Sequence, residues 1–109
     1  MSTKLLDKTA AEAADRPMAS FKTIHDDDKT RITHWVMKSG EQTGWHSHDF
    51  NYVVVQLSRG RLHLDYADGS EREVDYAPGG TLTGEAPVEH NAISVGGEAI
   101  VSLEIEYKY

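Results

Sequence analysis

The chain predicts an all-β fold, a small barrel or sandwich of short strands. Two observations carry that expectation. From Phe21 onward apolar and polar residues alternate with a period of two, the repeat of a strand with one buried face. Turn-forming groups cut that stretch at short, regular intervals: Ser39-Gly40, Ser58-Arg59-Gly60, Ala67-Asp68-Gly69, Pro78-Gly79-Gly80 and Gly96-Gly97. At 109 residues there is enough chain for one core and not for two, and no internal repeat or low-complexity tract is present.

Taken in order, residues 3–15 are good helix formers, with Thr3 as a possible cap and a stop at Arg16-Pro17. They read as a short helix or a loose arm, so the chain divides into an N-terminal arm, 1–20, and a β-barrel, 21–109. The acidic run 26–28 reads as a solvated turn. Strands are expected at 31–37, 44–48, 52–57, 61–66, 71–76, 81–83, 91–95 and 100–107. Asp68-Gly69, set between two alternating runs, is a hairpin signal. Alternation places Val53, Val55 and Leu57 on one face, as it does Leu62, Leu64 and Tyr66, and Val101, Leu103 and Ile105; these are the expected core positions.

Composition narrows the function. A net charge of −7, with 11 Lys and Arg scattered among 18 acids, argues against a nucleic-acid surface, which needs clustered cations. The absence of cysteine excludes disulfides and thiolate chemistry. No apolar run is long enough to span a bilayer or form a secretory signal, so a cytoplasmic location is expected. Nucleophile-elbow and phosphate-loop patterns are absent, and Ser47 points to the opposite side of its strand from the flanking histidines.

His46-Ser47-His48 is where chemistry concentrates. Two histidines at i and i+2 of a strand project from one face, so their imidazoles converge. Imidazole suits Zn, Cu, Fe and Ni, and a divalent transition metal is the economical reason for such a pair. His25 reads as a loop residue, His63 as outward-facing, and His34 fits either face. A ligand set that draws on His34 or Glu104 stays open.

The spacing Gly40-x5-His46-x-His48-x4-Val53-x6-Gly60 resembles the first motif of the cupins, G-x5-H-x-H-x(3,4)-E-x6-G. Pro78-Gly79-Gly80 through His90-Asn91-Ala92-Ile93-Ser94 and Gly96-Gly97-Glu98 looks like the second, with His90 at its histidine. The resemblance spans roughly 30–107 and implies a small β-barrel, usually a homodimer, with one metal ion inside. It implies His46, His48 and His90 as metal ligands. The family's glutamate falls on Val53, or on Tyr52 in the shorter spacing, and neither supplies a carboxylate. Three neutral imidazoles leave a divalent ion its full charge, which favours an anionic or enolisable chelating ligand.

Three-histidine cupins include dioxygenases, so the resemblance points to an Fe(II) dioxygenase acting on a small chelating or anionic metabolite. Zn, Ni or Mn in a redox-silent isomerase, lyase or hydrolase is the alternative, and a non-enzymatic ligand-binding barrel is a third. Glu104 is the catalytic candidate if it faces inward as a general acid or base, although alternation between Leu103 and Ile105 points it outward. Gln56 and Glu85 are weaker candidates of the same kind. Trp35 and Trp45 flank the histidine strand; alternation turns Trp45 away from the metal. The arm, 1–20, is the element expected to reach across to a partner subunit.

Overall fold

A computed structural model describes residues 16–108. The expected helix or arm at 3–15 lies outside the described residues, among which there is no helix. Nine strands follow: β1 (Ser20–Asp26), β2 (Thr30–Met37), β3 (His46–His48), β4 (Asn51–Gln56), β5 (Gly60–Tyr66), β6 (Glu71–Tyr76), β7 (Thr81–Gly84), β8 (Val88–Ser94) and β9 (Ile100–Tyr107). They form a five-stranded sheet, β1-β2-β9-β4-β7, and a four-stranded sheet, β3-β8-β5-β6, with every pairing between them antiparallel.

The core joins the two sheets. Met37, Tyr52, Val54 and Ile100 from one pack with Leu62, Leu64, Tyr76 and Ala92 from the other. Removing such apolar surface from water is the main driving force for closing the sheets on each other. Turn chemistry sets the register. In the β5–β6 hairpin Gly69 takes φ +91°, and Ser70 donates to the Asp68 carboxylate from both its amide and its hydroxyl. The acidic run closes the β1–β2 hairpin, where Asp27 Oδ1 accepts from the amides of Lys29 and Thr30.

Two expected core faces are inverted. On β4 the buried residues are Tyr52, Val54 and Gln56, and on β9 they are Ile100, Ser102 and Glu106. Val53, Val55, Val101, Leu103 and Ile105 lie half-buried on the opposite face, and Leu57 is exposed. Apolar content misleads here because the interior is partly polar, and the inward polar groups of these two strands have partners. Gln56 accepts from the Ala77 amide, Ser102 is hydrogen-bonded to Tyr76, and Glu106 receives two bonds from Arg31. On β5 Leu62 and Leu64 are buried as expected.

The segment before β3 is strapped to β8. Thr43 donates its amide to Ala92 O, and its hydroxyl accepts from the Ala92 amide. Asn91, fully buried, donates to the Gln42 side chain, whose own amide nitrogen donates to Arg16 O. These bonds fix the short strand β3 against β8, where the histidines meet.

Candidate metal centre

His46 and His48 project from one face of β3, as their spacing predicts. His90, expected in a loop-like stretch, stands within β8 directly opposite His46 in the ladder. The three Nε2 atoms form a triangle with sides of 2.9, 3.0 and 3.1 Å. His48 and His90 are buried and His46 half-buried. Burial lowers the pKa of all three. For His48, with the charge of His46 adding to burial, it falls to about 4; for His90, with His46 and His48 adding, to about 3. The rings are therefore neutral near pH 7.

Ring chemistry shows that this triangle fits a cation. A neutral imidazole Nε2 carries either a proton or a lone pair, so three of them cannot all hydrogen-bond to one another. A central ion that accepts all three lone pairs resolves the conflict. Cis ligands of an octahedral ion at about 2.1 Å stand about 3.0 Å apart, the spacing found here. His46 Nδ1 donates to Gly44 O at 2.8 Å, which leaves its Nε2 lone pair free to point inward. His90 Nδ1 is buried without a hydrogen-bond partner among the described residues.

Glu104 corrects an expectation. Because β9 turns its polar face inward, Glu104 points into the barrel and its Oε1 lies 3.9 Å from His48 Nε2. Burial, then the charge of Glu106, raises its pKa to about 7 against the opposing effects of Arg31 and a hydrogen bond from Trp35. Both protonation states of this carboxyl are accessible near neutrality, which suits a general acid or base. The ligand atoms of His48, Glu104 and Glu106 lie within 4.8 Å of one another.

A groove with about 340 Å³ of free volume opens onto the centre, walled by Phe21, Arg31 and Trp35 opposite His46 and His48. Phe21 and Trp35 pack ring on ring, their centroids 4.8 Å apart. Behind the histidines lies an inner cavity of about 40 Å³, lined by Met37, Leu62, Leu64 and Tyr76 among others. His46, Trp35, Thr43 and Glu104 border both spaces.

No family model matches the chain. It is 34% identical over 93 residues to the beta-alanine degradation protein BauB of Pseudomonas aeruginosa, covering 85% of this chain and 97% of that one. A solved cupin domain from Bordetella pertussis Tohama I is 34% identical, superposes with a TM-score of 0.80, and spans 87% of this chain and 98% of its own. The chain belongs to the cupin family. An RmlC-like cupin from Methanocaldococcus jannaschii, 14% identical with a TM-score of 0.71 over 85% of this chain and 83% of that one, shares the double-stranded β-helix fold.

Within this cupin Tyr52, and not Val53, is the β4 residue turned toward the centre, although the six-residue step to Gly60 counts from Val53. Tyr52 faces the histidines, its ring stacked on His48 with centroids 4.2 Å apart, while Val53 points the other way. Of the other candidates, His34 stands in register with Leu103 on the outward face, and Trp45 lines neither cavity. Gln56 is engaged with the loop after β6, and Glu85 lines neither cavity. His63 faces out among Asp65, Glu71 and Glu73, as alternation predicts. Trp35, which the sequence placed beside the histidine strand, lines both spaces, whereas the Arg31–Glu106 pair went unassigned. The signal for them was the i, i+2 spacing of Glu104 and Glu106 on a strand whose intervening residues are all aliphatic.

Proposed function

We propose that this cupin is a metal-dependent enzyme, of the Fe(II) dioxygenase type, acting on a small chelating or anionic metabolite. The convergence of three neutral Nε2 atoms at 2.9–3.1 Å carries the reading. A divalent ion bound there supplies Lewis acidity and, as iron, redox chemistry toward dioxygen. The chain's residues do the rest. Glu104 exchanges a proton with a ligand seated beside His48, and the hydrogen bond from Trp35 aims its carboxyl. The Phe21–Trp35 wall limits the groove and shields the centre on one side. A groove of about 340 Å³ is at the small end of ligand sites, as a compact metabolite requires. The name of the similar Pseudomonas protein, beta-alanine degradation protein, supports a metabolite of that size.

Glu104 also favours a second reading, a redox-silent Zn, Ni or Mn enzyme in which metal Lewis acidity and one carboxyl carry out proton transfer. Elemental analysis with oxygen-uptake assays separates the two. Iron near one per chain, with uptake abolished in His46→Ala, supports the dioxygenase. Zinc, nickel or manganese without uptake selects the second reading, and no metal uptake sinks both. A homodimer belongs to the same proposal, since Met18, Phe21 and Ile24 expose large apolar side chains on and beside the edge strand β1. Molecular mass in solution tests it.

A further inference from the structure

Tyr52 occupies the place where the first cupin motif has its glutamate, and the neighbouring strand is fitted to it. Its ring lies face to face with His48 at an interplanar angle of 29° and meets His90 edge-on, centroids 6.5 Å apart. The residue is buried. Across the β4–β7 ladder its partner is Gly84. Gly84 is not among the glycines with positive φ, so the backbone does not call for glycine there. Space does: a Cβ at position 84 would overlap the Tyr52 ring carbons Cζ and Cε1 and the hydroxyl. The ring is held between His48 on one side and a bare backbone on the other.

We propose that Tyr52, seated over Gly84, is a positioning residue of the metal centre. Its ring fixes the plane of His48 so that Nε2 points at the other two histidines, and it fills the space beside them that a fourth protein ligand would need. The inference rests on His46, His48 and His90 being metal ligands and goes beyond that reading to a pair outside the ligand set. Hydrogen-bonded partners that orient metal-bound histidines are worth about 10- to 100-fold in affinity, and a stacked ring that orients His48 is expected to act on the same scale.

The test is Co(II) titration of the full chain, followed by the visible ligand-field bands, which report coordination geometry independently of turnover. Tyr52→Phe keeps the ring and is expected to keep the wild-type affinity and spectrum. Tyr52→Ala, which removes the ring, and Gly84→Ala, which pushes it from the other side, are each expected to weaken Co(II) binding by roughly 10- to 100-fold and to alter the bands. Circular dichroism of each metal-free variant checks folding; should Tyr52→Ala not fold, Gly84→Ala and Tyr52→Phe decide. Wild-type binding and spectra in Gly84→Ala, or Tyr52→Phe as weak as Gly84→Ala, would overturn the assignment of this role to the ring. A wild-type protein that takes up no Co(II) overturns the metal reading and this inference together.

Discussion

His46 and His90 are direct partners in the β3–β8 ladder, and that pairing brings their Nε2 atoms to 3.0 Å across 44 residues of sequence. β3 is three residues long and pairs only with β8, so the triangle depends on a single ladder. Replacing His90 by alanine removes one corner and leaves the ladder's backbone bonds in place. Metal affinity is expected to fall by more than the roughly 10- to 100-fold that loss of an outer-shell partner costs, so that elemental analysis finds the variant depleted, with the fold retained by circular dichroism. Full metal occupancy in this variant would rule out His90 as a ligand.

Glu104 and the histidines are separable by experiment. Glu104→Gln keeps the shape of the side chain and removes its acid–base capacity. Turnover is expected to drop by about 10²- to 10⁴-fold, the usual scale for a general acid or base, with metal content unchanged. If metal is lost in step with activity, Glu104 acts as a ligand and not as a proton carrier.

Arg31 and Glu106 form a two-pronged ion pair, Nε to Oε1 at 2.7 Å and Nη2 to Oε2 at 3.0 Å. The carboxylate side is 5% exposed and the arginine side 37%. Arg31→Met strands a buried charge, a loss that water reaching the arginine end reduces; the expected cost is about 1–3 kcal/mol in urea unfolding. The double variant Arg31→Met, Glu106→Gln should recover much of it. No recovery would mean that Arg31 stabilises through its packing alone.

His63 gives the outer sheet face a pH dependence. Burial works to lower its pKa, but hydrogen bonds and charge from Asp65, Glu73 and Glu71 outweigh it, and the net shift is upward. A base whose folded pKa is raised binds its proton more tightly when folded. The stabilisation is present in full below its ordinary value of 6.5 and is lost as pH rises through the folded value. The melting temperature of His63→Gln should therefore lie further below wild type at about pH 5.5 than at about pH 8.5. An equal gap at both would exclude the linkage.

Much of this was readable in the chain. Eight of the nine strands were anticipated within a few residues, because turns at Gly40, Gly60, Asp68-Gly69 and Gly79-Gly80 punctuate a clear period of two. β1 was not, although the alternation starts at Phe21: SFKTIHD offers only Phe21 and Ile24 as apolar residues and lies exposed along its whole length. The His46–His48 pair was legible from its i, i+2 spacing, whereas His90 joined it only through the resemblance to the second cupin motif. The phase of β4 and β9 was not, because hydrophobic patterning assumes an apolar interior. Here Glu104, Glu106, Gln56 and Ser102 point inward and are reconciled to burial by partners from other strands, which no local pattern reveals. Tyr52 was hidden by the same inversion.

The centre is divided between the sheets. All three histidines stand on the four-stranded sheet, while Tyr52, Trp35, Arg31, Glu104 and Glu106 stand on the five-stranded one. Under the proposed function, one wall of the barrel supplies every ligand to the ion, and the other supplies the ring behind His48 and the groups that act on what binds beside it. On that reading, sequence change in β2 and β9 retunes reactivity while β3 and β8 keep the ligand set intact, so one scaffold acquires new chemistry without first losing its metal.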